Sequence, residues 1–175
     1  HKSDCGINMS SMVSLDKFGT IKELVKRDSF FCSCWSKVVK RSLIIKNGIT
    51  FDESLSCEDM DWYFNVISYS KTVEVIDYPV INYRQREGSV TSGGFKPKNI
   101  KDFIFTIKKW RENFDNIERI DEKYVLLSAL AKLYCNLLIS YSSNRSKALS
   151  MRRDIFVHKS LLNYDLNPRT RKFKV

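Results

Sequence analysis

Apolar residues recur along this chain in two rhythms. Spacings of three and four predict a helix over 15–27, where Phe18, Ile21, Leu24 and Val25 share a face behind Ser14 as cap. A second is predicted over 37–47, where Val38, Val39, Leu43, Ile44 and Ile45 sit among basic residues until Gly48 ends the run. A third starts at Glu58, with Met60, Tyr63, Phe64 and Ile67 on one side. Alternation then takes over and predicts short strands at 72–76 and 80–83, punctuated by Pro79. Between these elements, 49–51 reads as an extended piece and 52–57 as a polar turn. The apolar run SFFCSCW at 29–35 is too short to type by period, and a buried turn or strand is expected there.

Beyond Gly93-Gly94 the helical rhythm returns, at 100–114, 122–142 and 151–162. In the middle helix Leu126, Leu130, Leu133 and Leu137 form one stripe, which Leu127, Tyr134, Leu138 and Tyr141 widen to most of the circumference. So broad a face implies deep burial or a partner helix. Its apolar stretch is interrupted by Lys132 and Asn136, which makes it too polar to read as a membrane span. The pattern as a whole predicts an α/β chain: a small mixed sheet within residues 1–94, followed by a helical C-terminal region over 95–175.

Composition narrows the classes. With 175 residues, 43% of them hydrophobic, the chain is able to bury a sizeable core. Thirty Lys and Arg oppose twenty Asp and Glu, so the net charge is +10 and anionic partners are favoured. Nine of these cations follow Asn144, against Asp154 and Asp165. A nucleic-acid module is one reading of that excess, but basic residues between 97 and 113 alternate with acidic ones and no base-reading motif occurs, so no nucleic acid is expected. An anionic membrane surface is another, seated on the basic tail and the helix at 122–142. The five cysteines are odd in number and scattered, which points to reduced thiols rather than a disulfide framework or a zinc site. The opening residues lack a secretory pattern, and a cytoplasmic chain is expected, peripheral to the inner face of the membrane.

The chemistry concentrates between Trp35 and Ser92. Ser56-Cys57-Glu58-Asp59 matches a capping box ahead of an apolar helix, a purely structural reading of the acidic pair. The company it keeps supplies a second reading. Trp35-x-Lys37, a helix ending at Asn47-Gly48, then Ile49-x-Phe51-Asp52-Glu53, Glu58-Asp59-Met60 and Tyr83-Arg84-Gln85-Arg86-Glu87-Gly88-Ser89 follow in an order that resembles the C-terminal half of bacterial family 2 glycosyltransferases. Those are inverting enzymes of GT-A fold that build capsular polysaccharide, O-antigen and related glycans.

The resemblance implies that Asp59 is the general base. It would take the proton of an acceptor sugar hydroxyl as that oxygen attacks the anomeric carbon of a nucleotide-sugar donor, opposite the departing diphosphate. Glu58 would orient or pair with a neighbouring group. Arg84 and Arg86 would neutralise the diphosphate and Ser89 would add a hydroxyl, on a segment that reads equally as a solvated basic hairpin end. Trp35 corresponds to an aromatic beside the acceptor pocket and, in its apolar run, reads equally as core; Lys37 lies close in sequence. The family's donor half, with its metal-holding D-x-D, has no counterpart in the chain. Asp59-Met60-Asp61 spells that motif at the mouth of a helix, where the metal motif ends a buried strand. The resemblance therefore implies Mg or Mn in a full-length enzyme but no metal on this chain, and a fragment bearing the acceptor side. Pairing between copies across exposed sheet edges or apolar surface is a further expectation.

Overall fold

The computed structural model describes residues 15–76, 81–82, 96–146 and 148–167. Helix α1, Lys17–Lys26, starts where the Asp16 carboxylate accepts the Gly19 amide at 2.7 Å, so Asp16 takes the capping role expected of Ser14, which lies outside the described residues. It ends with Asp28 in a left-handed backbone, φ +60°, while Asp28 and Ser29 donate back to the Val25 and Leu24 carbonyls. Helix α2, Arg41–Lys46, closes the same way. Gly48 sits at φ +58°, and Gly48 and Ile49 donate to Ile45 and Ile44. Glycine suits that position because a left-handed backbone is nearly free of steric cost without a Cβ.

Helix α3, Glu58–Tyr69, begins at the predicted residue and carries Glu58, Asp59 and Asp61 in its first turn, where carboxylates complement the helix dipole. Ser56 does not cap it: its hydroxyl and amide go to the Asp102 carboxylate at 2.5 and 2.9 Å. Pro97 opens α4, Pro97–Asp115, with the Asn99 side chain accepting the Lys96 amide. Helix α5, Ile120–Ser143, follows after a four-residue turn, and the C-terminal stretch folds into short helical pieces: Leu149–Met151, α6 at Arg152–Phe156, and Lys159–Tyr164.

Helix α5 is the axis of the molecule. Ala129, Leu130, Tyr134 and Leu137 are fully enclosed, and α1, α4 and the turn Lys159–Tyr164 all pack on it. By length and hydropathy it is able to cross a membrane, but 78% of its apolar window is buried inside the protein. Lys132, which interrupts the apolar run, points at the turn after α1 and pairs with Asp28, whose carboxylate also accepts Asn167 Nδ2 at 2.7 Å. The non-glycine at a left-handed position is thus held by two side chains from distant parts of the chain.

The α/β expectation is overturned. Helix makes up 65% of the described residues, and no strand occurs among them. Along 72–76 burial does alternate, with Val73 and Val75 half-buried between exposed Thr72, Glu74 and Ile76, but no other segment among the described residues pairs with this one. An unpaired strand leaves its amides and carbonyls to water and gains no ladder, so alternation of side chains alone does not make a sheet. Of 80–83, Ile81 and Asn82 are described and are likewise not in a strand. The turn-or-strand at 29–35 resolves into a 3-10 turn, Cys34–Ser36.

One apolar core joins the N-terminal helices to the C-terminal ones. Phe64 of α3 is fully buried against Trp110 and Phe114 of α4, with ring centroids 5.5 Å apart in both pairs. A polar contact locks the same two helices together. The Asp61 side chain, 4% exposed, accepts Lys109 Nζ at 2.7 and 2.9 Å and Trp110 Nε1 at 2.8 Å. Removing one partner of a buried, hydrogen-bonded charge pair strands the others. Asp61→Ala is therefore expected to cost about 3 kcal/mol in urea unfolding; an unchanged midpoint would show that apolar contact alone holds α3 on α4.

Candidate functional site

The site forms where three local choices converge. The turn Cys34–Ser36 packs on α3 and presents Trp35, half exposed, at the surface. The chain then extends, and Lys37 folds back so that its ammonium lies 4.7 Å over the Tyr63 ring and donates to Ser36 Oγ at 2.7 Å. Tyr63 is one turn along α3 from Asp59, so this cation-π contact brings Lys37 near the helix mouth. Asp52 stabilises the approach to α3, its carboxylate accepting the Ser54 amide and hydroxyl at 3.0 and 2.6 Å.

Asp59 sits half-buried in the first turn of α3, next to Glu58. Burial raises its pKa and the Glu58 charge adds to the rise, against the pull of the Met60 and Asp59 amides and of Lys37. The amides at the helix mouth favour the charged form, and desolvation outweighs their pull. Lys37 shows the mirror effect. Burial lowers its pKa, while Cys32, Asp59 and Cys34 act to raise it. Burial and the Asp59 charge push the Cys32 thiol up to about 12, which keeps it protonated at neutral pH. An acid, an amine and a thiol thus share one desolvated corner and feel one another's charge.

Of the residues singled out in the sequence, Lys37 and Asp59 lie close enough to feel each other's charge, Glu58 adjoins Asp59, and Trp35 stands on the turn Cys34–Ser36, which packs on α3. Arg84, Arg86 and Ser89 lie outside the described residues. Tyr63 and Cys32 were not singled out. Tyr63 reads as one more core aromatic of α3, and only the folding of Lys37 across its ring gives it a further role. The D-x-D reading of Asp59-Met60-Asp61 also meets a test here. Asp61 faces inward, consumed by Lys109 and Trp110, so the two carboxylates do not converge on one ion. Among the described residues no group of three or more His, Cys, Asp or Glu is placed to hold a metal, and the carboxylates present do not fit the Mg or Mn of the resembling family.

Comparisons with family models, with curated proteins and with solved structures find no match to this chain.

The electrostatics make a prediction with a definite sign. An acid whose folded-state pKa is raised holds its proton more tightly when folded, so ionising Asp59 costs stability above the folded pKa and costs nothing below the unfolded value of about 3.9. Asp59→Asn should be as stable as the parent or more so at pH 7, with the gain vanishing as the pH falls through the carboxylate range. Thermal melts at several pH values check this. A loss of stability at pH 7 would make Asp59 a helix-capping group.

Proposed function

We propose that this chain forms the acceptor side of an inverting sugar transferase, with Asp59 as the base that deprotonates the acceptor hydroxyl. The observation that supports the reading is a half-buried carboxylate of raised proton affinity within reach of the charge of a partly desolvated lysine; the exposed Trp35 stands two residues from that lysine on the turn that packs on α3. The order of these residues along the chain, resembling that of family 2 glycosyltransferases, supports the same reading. It draws nothing from a sheet, since no strand occurs among the described residues.

Each group has a task. A base works best when its pKa approaches the working pH, and the rise in Asp59 moves it in that direction. The Lys37 charge pulls against the rise at Asp59 and favours its charged form. Trp35 offers the aromatic face on which a sugar ring stacks. Glu58 tunes Asp59 through its charge and takes no proton from the acceptor. The nucleotide-sugar donor and its diphosphate would be met by groups other than these.

The test is release of nucleoside diphosphate from nucleotide sugars, in the presence of glycan acceptors, by the protein that carries this chain together with a donor-binding half. Asp59→Asn should lower turnover by about 10²- to 10⁴-fold, the usual worth of a positioned base. Donor binding should stay unchanged, and Trp35→Ala should raise the acceptor KM. Turnover retained in Asp59→Asn would remove Asp59 from the base role.

A further inference from the structure

Helix α5, the apolar element offered by the sequence as a membrane seat, is spent on the core. The apolar surface that stays outside lies elsewhere. Between the end of α1 and the start of the Asp52 turn, Phe31 is 58% exposed, Trp35 50%, Val38 84% and Ile45 63%. These are large side chains held out in water on a stretch whose other apolar residues, Val39, Leu43 and Ile44, pack against the core. On α2 the division follows from helix geometry. Leu43 and Ile44 turn inward, while Arg41, Ser42, Ile45 and Lys46 occupy the outer face.

The charge on this surface has one sign. From Ser29 to Phe51 the chain contains Lys37, Lys40, Arg41 and Lys46 and no Asp or Glu. Lys37 is drawn toward Asp59 and Tyr63, which leaves Lys40, Arg41 and Lys46 exposed around Val38 and Ile45. Acidic residues resume only at Asp52 and Glu53, on the side that leads to α3.

We propose that this face, the surface of Phe31, Trp35, Val38 and Ile45 ringed by Lys40, Arg41 and Lys46, docks on an anionic lipid bilayer. The two halves of the pattern select that partner together. Cations alone would suit any polyanion, but Val38 and Ile45 gain nothing from phosphates of a nucleic acid. At a bilayer they enter the boundary between headgroups and acyl chains while the neighbouring cations meet lipid phosphates. Trp35 belongs at that boundary, with an apolar ring and a polar N–H. This inference does not depend on the transferase reading and survives its failure.

The full chain tests it directly. Trp62 and Trp110 are buried, 9% and 4% exposed, so Trp35 is the tryptophan that answers to its surroundings. At low salt the protein should co-sediment with vesicles of phosphatidylcholine plus phosphatidylglycerol and not with phosphatidylcholine alone. Brominated acyl chains should quench the Trp35 emission. The double variant Lys40→Glu/Arg41→Glu should weaken partitioning by at least about tenfold, and Val38→Ser/Ile45→Ser should abolish the quenching. All four side chains are exposed, so these variants leave the fold intact. No binding to anionic vesicles at low salt overturns the proposal. So does binding that both double variants leave unchanged, which would transfer it to the basic tail. A dimer that Val38→Ser/Ile45→Ser converts to monomer, without vesicle binding, would assign the face to a second copy of the chain.

Discussion

The structure depends on enclosing α5. A helix apolar on nearly every side has no stable place in water, and it must be surrounded by other parts of the same chain or by a partner. Here α1, α4 and the Lys159–Tyr164 turn surround it. The single cation within its apolar run reinforces the arrangement. Lys132 reaches Asp28, which also holds Asn167, so the turn after α1, the middle of α5 and the C-terminal stretch meet at one polar node. The left-handed strain at Asp28 costs about 1 kcal/mol or more in a residue with a Cβ, and that node offsets it.

With α5 and α4 placed, α3 has one way to sit. Two carboxylates two residues apart on a helix face different directions, and here their fates diverge. Asp61 turns in to Lys109 and Trp110 and binds α3 to α4. Asp59 stays half outside, within reach of the Lys37 charge. The inward residue supplies rigidity, and the outward one therefore has a defined position. A proton acceptor needs that combination, because a base is useful only if its distance to the reacting hydroxyl does not drift.

The corner around Asp59 and the apolar, basic face around α2 share the same stretch of chain, from the end of α1 to the start of α3. Trp35 lies at their junction, on the turn that packs against α3. Their electrostatics differ: cations dominate the α2 stretch, and carboxylates the first turn of α3.

Sequence alone determined the helices and one of their starts. The periods at α1, α3, α4 and α5, the glycine that ends α2 and the first residue of α3 are all local properties, set by side-chain spacing, capping and backbone sterics within a few residues. It also picked out Lys37 and Asp59, which the fold brings within reach of each other's charge. What it misread depended on partners remote in the chain. Residues 72–76 alternate as a strand does, but a strand exists only when another segment offers its amides, and none of the described residues does. Ser56 spells a capping box, but its hydroxyl donates to Asp102, far along the chain, and the helix takes Cys57 as its N-cap. The inward turn of Asp61 and the rise in the Asp59 pKa were decided by tertiary packing alone, as was the choice for α5 between deep burial and a partner helix. Burial and long-range pairing are properties of the assembled molecule, and no window of neighbouring residues contains them.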